Sequence, residues 1–249
     1  MSSVLLITGD ATDLKVATNS VDLIITHPPY LGASIDRYSK RRSGDQINAS
    51  QDKKKMLKLM LKATREMERV LKPTGSIWIA NGKQDSFDIE YVSMVAKKTK
   101  LKYVDFIIQN SFDYTDGIKS QEKIAINQIT TWHHFQKGIT QYFNPFEVKR
   151  YNNPVWNLPE NNLDSPIDSV LDKNGHFVLD VMNEQIPERL IKMFSKSNHV
   201  VLDPFGGSGV VAETAARLGR LAISNDISSD QTKIAVDRMT IANIQYKLS

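Results

Sequence analysis

Cysteine is absent from all 249 residues, so the chain can form no disulfide and perform no thiolate chemistry, a composition that suits a cytoplasmic protein. Apolar runs of membrane length are missing too. The "VLLI" at residues 4 to 7 is too short to span a bilayer or act as a signal segment and soon meets Gly9 and Asp10, so no membrane contact is expected. No "GK[ST]" closes any glycine-rich turn, which disfavours nucleoside triphosphates. Metal-ligand spacing is lacking as well. His133 and His134 are neighbours on an expected strand and therefore point to opposite faces, while His176 and His199 have no Cys or acidic cluster around them, so no metal is expected. No internal repeat or low-complexity segment occurs.

What remains is ample for a folded core. At 249 residues and 41% hydrophobic content, the chain fits one large α/β domain or two small ones. The net charge of +4 is mild but uneven. Residues 31 to 62 hold nine basic residues (Arg37, Lys40, Arg41, Arg42, Lys53, Lys54, Lys55, Lys58 and Lys62) against three acids (Asp36, Asp45 and Asp52), a local excess of +6. Such a stretch is either a solvated face or a surface for a polyanion.

Strand-like apolar runs alternate with helical patterns along most of the chain. The runs fall at 3–8, 21–26, 76–81, 102–109, 127–135, 199–204 and 220–226, and helices are expected over 53–71 (ended by Pro73 and Gly75), 86–99, 186–196, 208–218 and 228–245. Seven strands with intervening helices predict a mostly parallel sheet covered on both faces. Two stretches, 31–52 and 144–175, lack periodicity and are read as long irregular loops of the kind that contact substrate. Trp78, Trp132 and Trp156 sit on apolar strands or beside proline and are read as core.

Two local designs carry chemistry. In "DLIITHPPYLG" (22 to 32) a buried-looking strand runs straight into Pro28 and Pro29, which supply no N–H, so the carbonyls around them and the ring of Tyr30 are presented rigidly and not drawn into a ladder. In "VVLDPFGGSGVVAETAARLGR" (200 to 220) a strand ending in Asp203 turns through Gly206, Gly207 and Gly209 into an Ala-rich helix, which lets a ligand approach the backbone and the helix N-terminus. The next strand ends in Asp226, where doubly wound folds place a carboxylate on a ribose; the alternative is that Asp226 or Ser228 merely caps the last helix. Asp10 likewise reads, taken alone, as a turn residue after a strand.

Five segments in order, "GDA" (9–11), "VDLIITHPPY" (21–30), "NEQIPERLIKMFS" (183–195), "VLDPFGGSG" (201–209) and "ISNDIS" (223–228), resemble the S-adenosylmethionine-dependent amino-methyltransferases of DNA. With the "PPY" segment ahead of the glycine turn, the order looks like their β class, a circular permutation of the usual arrangement. The resemblance spans nearly the whole chain and implies one Rossmann-like α/β domain over residues 1–249, with a seven-stranded, mostly parallel sheet. It implies that Asp203, Pro204, Phe205, Gly206, Gly207 and Gly209 surround the methionine part of S-adenosylmethionine and that Gln185 and Pro187 flank it. Asp226 and Ile227 would hold the ribose, and Asp10 and Ala11 would meet the adenine ring.

His27, Pro28, Pro29 and Tyr30 would form the catalytic segment. An exocyclic amine has its lone pair delocalised into the base, so a carbonyl such as that of Pro28 and a side-chain acceptor must take its hydrogens while Tyr30 stacks on a base flipped from the duplex. Relatives usually carry Asp, Asn or Ser where this chain has His27, a choice that loosely tracks adenine or cytosine; imidazole accepts only when neutral. The resemblance thus implies methyl transfer to the N6 of adenine or the N4 of cytosine in double-stranded DNA. Arg37, Lys40, Arg41, Arg42, Lys53 and Lys54 are the expected DNA contacts, and a homodimer and a cognate restriction enzyme are further partners. An RNA base methyltransferase and an inactive nucleic-acid-binding homologue are the alternatives.

Overall fold

The apolar run after Asp22 becomes β2 (Val21–Thr26), buried at every position as a strand covered on both faces must be. The computed structural model describes residues 3–29, 53–81, 86–112, 128–138, 141–159 and 182–249. Around β2 are β1 (Val4–Thr8), α1 (Lys53–Val70), β3 (Leu71–Asn81), α2 (Ser86–Lys98), β4 (Lys102–Phe112) and β5 (Gln128–Gln136). There follow α3 (Pro145–Arg150), β6 (Val155–Pro159), α4 (Gln185–Phe194), β7 (Val200–Asp203), α5 (Val210–Arg217), β8 (Leu221–Asp226), α6 (Ser229–Ile241) and β9 (Tyr246–Leu248).

The strands form one sheet in the order β6-β4-β5-β3-β2-β7-β8-β1-β9. Only β5 runs antiparallel to its neighbours. All seven expected strands are present, and among the described residues the sheet has nine because two short edge strands extend it. β9 is only three residues long, and β6 lies within the Asn- and Pro-rich stretch whose sequence reads as irregular. That stretch, 144–175, is corrected over its described part. Asn144 caps α3 by accepting from the N–H groups of Phe146 and Glu147, and Pro145 opens the helix, a local start signal that the absence of periodicity hides. The expected loop at 31–52 lies outside the described residues.

One layer of helices covers each face. Met56, Met60, Met67 and Val70 of α1 and Tyr91 and Val95 of α2 pack on Ile24, Ile77 and Ile79; on the other face Leu190, Ile191 and Phe194 of α4, Ala212 and Ala215 of α5, and Met239 of α6 pack on Leu23, Ile25 and Val201. α1 stops at Val70, one residue short of the expected end, and Pro73 and Gly75 follow it inside β3 and not in a loop. They sit where the pairing with β2 jumps from Val21–Leu71 to Leu23–Ser76, so the missing proline N–H falls in an irregular register. Gly75 is required there: a side chain would approach the Asp22 carbonyl to 2.9 Å.

The topology also contains a switch point. From β2 the chain moves outward to β3 on one side, and from β7 to β8 on the other, so β2 and β7 are adjacent strands whose connections leave in opposite directions. In open parallel sheets, ligands bind beyond the carboxyl ends of strands at such a switch point. Among the described residues, no helix is long and apolar enough to cross a membrane.

Candidate active site

Four neighbouring strands deliver the sequence-marked segments to one edge. β2 ends in His27, Pro28 and Pro29, β7 in the turn from Asp203 to Gly209, β8 in Asp226 and Ile227, and β1 in Gly9, Asp10 and Ala11. The ends are tied to each other by buried polar side chains. The Thr26 hydroxyl, one residue before His27, donates to Asp203 Oδ1 at 2.7 Å, and the Phe205 N–H donates to the same oxygen at 3.0 Å. Asn225 donates from one amide nitrogen to the carbonyls of Gly9 (3.0 Å) and Pro204 (3.2 Å), joining β1 to the start of the glycine turn.

The turn itself can be built only from glycine at its key positions. A side chain at Gly206 would stand 1.9 Å from Ser224 Oγ, and Gly207 and Gly209 have φ of +49° and +83°, in the left-handed region. Gly209 is the N-cap of α5 and offers no side-chain cap, so the first N–H groups of that helix have no partner from the cap. Asp226 braces this turn. Its Oδ2 accepts from the Gly207 N–H at 2.9 Å and its Oδ1 from the Ser228 N–H at 2.8 Å, while Ser228, not Asp226, caps α6 through its hydroxyl. A carboxylate has about four acceptor sites, so these backbone bonds and a ligand diol are compatible on one side chain.

Asp203 is fully buried, and desolvation pushes its carboxyl up from 3.8 to about 7 against the opposing bonds from Thr26 and Phe205, with the Asp226 charge adding to the rise. A carboxyl with a raised folded value stabilises the fold most below its unfolded value, and that contribution is lost as pH rises through about 7. Both hydrogen bonds fall on one oxygen, which an asparagine reproduces. Asp203→Asn is therefore expected to flatten the pH dependence and to melt above the parent at pH 8.5 and not at pH 5. The distance from 3.8 to about 7 bounds the effect at roughly 4 kcal/mol. Equal melting differences at both pH values would refute a charge cost at Asp203.

Beside the proline pair, His27 is partly buried, with its ring 6.0 Å from that of Trp132 at a tilt of 55°. Trp132 is buried as expected, and its indole N–H donates to Gln109 Oε1 at 2.9 Å. Trp78 and Trp156 are buried as well. His133 and His134 do part to opposite faces. His133 Nε2 lies 2.6 Å from Asp88 Oδ1, which also accepts from Asn81, whereas His134 stacks on Trp78 at 4.4 Å and is pushed down to about 3, chiefly by burial.

The remaining expected residues divide. Ala11 is buried, and Asp10 forms the turn that its sequence context suggests, its Oδ1 accepting from the Thr12 N–H at 2.7 Å. Gln185 opens α4 and accepts from Arg189 at 3.0 Å, and Pro187 is buried in the same helix. Lys53 and Lys54 stand in the first turn of α1; Lys53 pairs with Glu90 of α2 at 2.6 Å and Lys54 is exposed. Tyr30, Arg37, Lys40, Arg41 and Arg42 lie outside the described residues. Sequence reading passes over Thr26, Asn225 and Trp132 as site residues, although Asn225 lies inside the quoted "ISNDIS" segment.

A family model described as DNA methylase, for N6 and N4 methyltransferases, matches residues 21–237. Among curated proteins, the type II methyltransferase M2.DpnII of Streptococcus pneumoniae is 24% identical over 244 residues, covering 92% of this chain and 86% of its own. M.HinfI of Haemophilus influenzae is 26% identical over 254 residues, covering 93% and 67%. Among solved structures, the PvuII cytosine-N4-specific DNA methyltransferase superposes with a TM-score of 0.72 at 15% identity, over 100% of this chain and 97% of its own. A DNA modification methylase from Thermus thermophilus, determined with S-adenosyl-L-methionine, gives 0.67 at 20% identity over 98% and 96%.

Proposed function

The chain belongs to the DNA methylase family of N6 and N4 amino-methyltransferases, and from that premise we propose that the edge formed by β2, β7, β8 and β1 takes S-adenosylmethionine and a flipped adenine or cytosine. The observation that carries this reading is the Thr26–Asp203 bond. It fixes the end of the proline strand against the start of the glycine turn, so two segments 177 residues apart form one site.

The residues present fit the cofactor. Gly206 leaves backbone where a side chain would collide, the opening of α5 has no side-chain cap on its N–H groups, and Asp226 brings a carboxylate to the adjoining strand end. In this reading Asp203, Pro204, Phe205, Gly206, Gly207 and Gly209 surround the methionine part, with Gln185 and Pro187 flanking it. Asp226 and Ile227 hold the ribose, and Asp10 and Ala11 meet the adenine. When bound, S-adenosylmethionine supplies an electrophilic methyl group on a sulfonium centre.

The chain's own task is to prepare the amine. The Pro28 carbonyl and His27 accept the two amine hydrogens, which directs the nitrogen lone pair away from the base plane. Pro28 is buried and Pro29 partly so, and both lack an N–H, so neither residue can donate to a strand ladder. Tyr30 stacks on the extruded base and offsets part of the few kcal/mol that extrusion costs.

DNA is held by the basic run that includes Arg37, Lys40, Arg41, Arg42, Lys53 and Lys54. Support comes from α1, whose first turn contains three lysines and no acid, an arrangement opposed to the helix dipole and unhelpful to folding alone. Neutralising Arg41, Arg42, Lys53 and Lys54 should weaken DNA binding and flatten its salt dependence, each lost phosphate contact removing about 0.9 from the log–log slope. A slope equal to the parent's returns the run to a solvated face.

The function is tested by incubating unmethylated duplex DNA and, separately, an RNA pool with S-adenosylmethionine and the protein, then digesting to nucleosides. N6-methyladenine or N4-methylcytosine in DNA is expected, and identifies the target. Modification confined to RNA, or none in either pool, would overturn this reading.

A further inference from the structure

Behind the glycine turn lies a buried charge pair that the sequence motifs do not include. Arg238, in the last turn of α6, is 2% exposed and Glu213, in the first turn of α5, is 3% exposed. Arg238 Nη1 donates to Glu213 Oε2 at 3.0 Å, and its Nε donates to the Ser208 carbonyl at 2.8 Å. The second bond is the informative one. Ser208 stands between Gly207 and Gly209, and the left-handed conformation of Gly209 turns the chain into α5 at this point. The turn is therefore held from both sides: Asp226 takes the Gly207 N–H and Arg238 takes the Ser208 carbonyl.

Glu213 explains why the anchor is an arginine. Its carboxylate sits one turn into α5, and its backbone N–H is already committed to the Gly209 carbonyl at 2.9 Å. A buried anion at that helix start favours the helix but would repel a ligand carboxylate approaching the same N-terminus. Arg238 neutralises it from within. Arg217, half exposed, reaches the other oxygen at 3.2 Å and extends at 3.4 Å to Glu184, the residue immediately before Gln185. The charge chain Ser208–Arg238–Glu213–Arg217–Glu184 thus joins the glycine turn to the segment that opens α4.

We propose that Arg238 is a positioning residue for the cofactor turn: it sets affinity for S-adenosylmethionine by holding the Ser208 carbonyl and cancelling the Glu213 charge, without touching the cofactor. A guanidinium suits both tasks because its planar fork serves two acceptors at fixed angles, whereas an ammonium can satisfy the charge and only one bond well. The inference rests on the reading that this turn binds the cofactor, and the comparison of variants below separates the two.

Calorimetry with S-adenosylmethionine on the parent, Arg238→Met and Arg238→Lys tests it, alongside melting curves and binding of each protein to unmethylated duplex DNA. The Met variant is expected to lose roughly tenfold or more in cofactor affinity, because the Ser208 carbonyl loses its donor and the buried Glu213 keeps only the half-exposed Arg217 as a counter-charge. The Lys variant should fall between it and the parent, and DNA affinity should stay at the parent's level in both. Should the Met variant fail to fold, the Lys variant alone decides. Parent-level cofactor affinity in a folded variant overturns the proposal, as does a loss of cofactor and DNA binding together in proportion to the fall in melting temperature. A parent that binds no S-adenosylmethionine overturns the cofactor reading itself.

Discussion

Replacing Asp226 with alanine should cost about 100-fold or more in affinity for S-adenosylmethionine. Two charge-assisted bonds to a ribose diol are at stake, each worth roughly 1.5 to 3 kcal/mol before compensation, and about 1.4 kcal/mol makes a factor of ten. The structure adds a second cause. Asp226 also receives the Gly207 N–H at 2.9 Å and the Ser228 N–H at 2.8 Å, so alanine frees the glycine turn at the point where its φ is +49° and removes a brace from the entry to α6. Asp226→Asn separates the causes. An amide oxygen can keep one of these backbone bonds but is a weaker acceptor for a diol, so the Asn variant should bind between the parent and the alanine variant. Calorimetry on proteins shown to be folded by their melting curves gives the answer. Unchanged affinity in a folded Asp226→Ala protein would remove the ribose from this carboxylate.

Both halves of the proposed site are legible in the sequence as local designs. The proline pair after β2 and the glycines after β7 act through the backbone within a few residues, and their chemistry shows in residue type alone. Strands such as β2 and β7 are legible for the same reason, being apolar runs buried in a sheet covered on both faces. What cannot be read depends on partners distant in sequence. Nothing near Arg238 marks it as a partner of Ser208, 30 residues earlier, and nothing near Thr26 announces Asp203. Lys53 looks like one more basic residue until the fold places Glu90 beside it. Pro73 and Gly75 mark the end of α1 to within one residue, yet nothing near them tells that they lie in a strand at a register jump. The edge strands escape because three or five residues of mixed character carry almost no periodic signal.

The largest loss of catalysis is expected at His27, which precedes the proline pair at the end of β2. As proposed, its imidazole is one of two acceptors that take the hydrogens of the target amine, and positioned groups of this kind contribute about 10²- to 10⁴-fold. His27→Leu should therefore lose about 100-fold or more in single-turnover methyl transfer while cofactor affinity is retained, since the residues proposed to hold the cofactor lie on other segments, at the ends of β7, β8 and β1 and in α4. His27→Asn supplies an acceptor that does not titrate and should keep measurable activity. The pH profile then distinguishes His27 from Asp203, whose carboxyl burial raises to about 7. Protonated imidazole presents a donor where an acceptor is needed, so an acid limb caused by His27 vanishes in His27→Asn and persists in Asp203→Asn. A limb caused by Asp203, raised to about 7 by burial, behaves in the opposite way. Trp132, with its ring 6.0 Å from that of His27 and its indole N–H fixed by Gln109, packs against the imidazole and restricts where it can point. Methyl transfer by the Leu variant at the parent rate would show that the Pro28 carbonyl and Tyr30 suffice, and that His27 has no part in the chemistry.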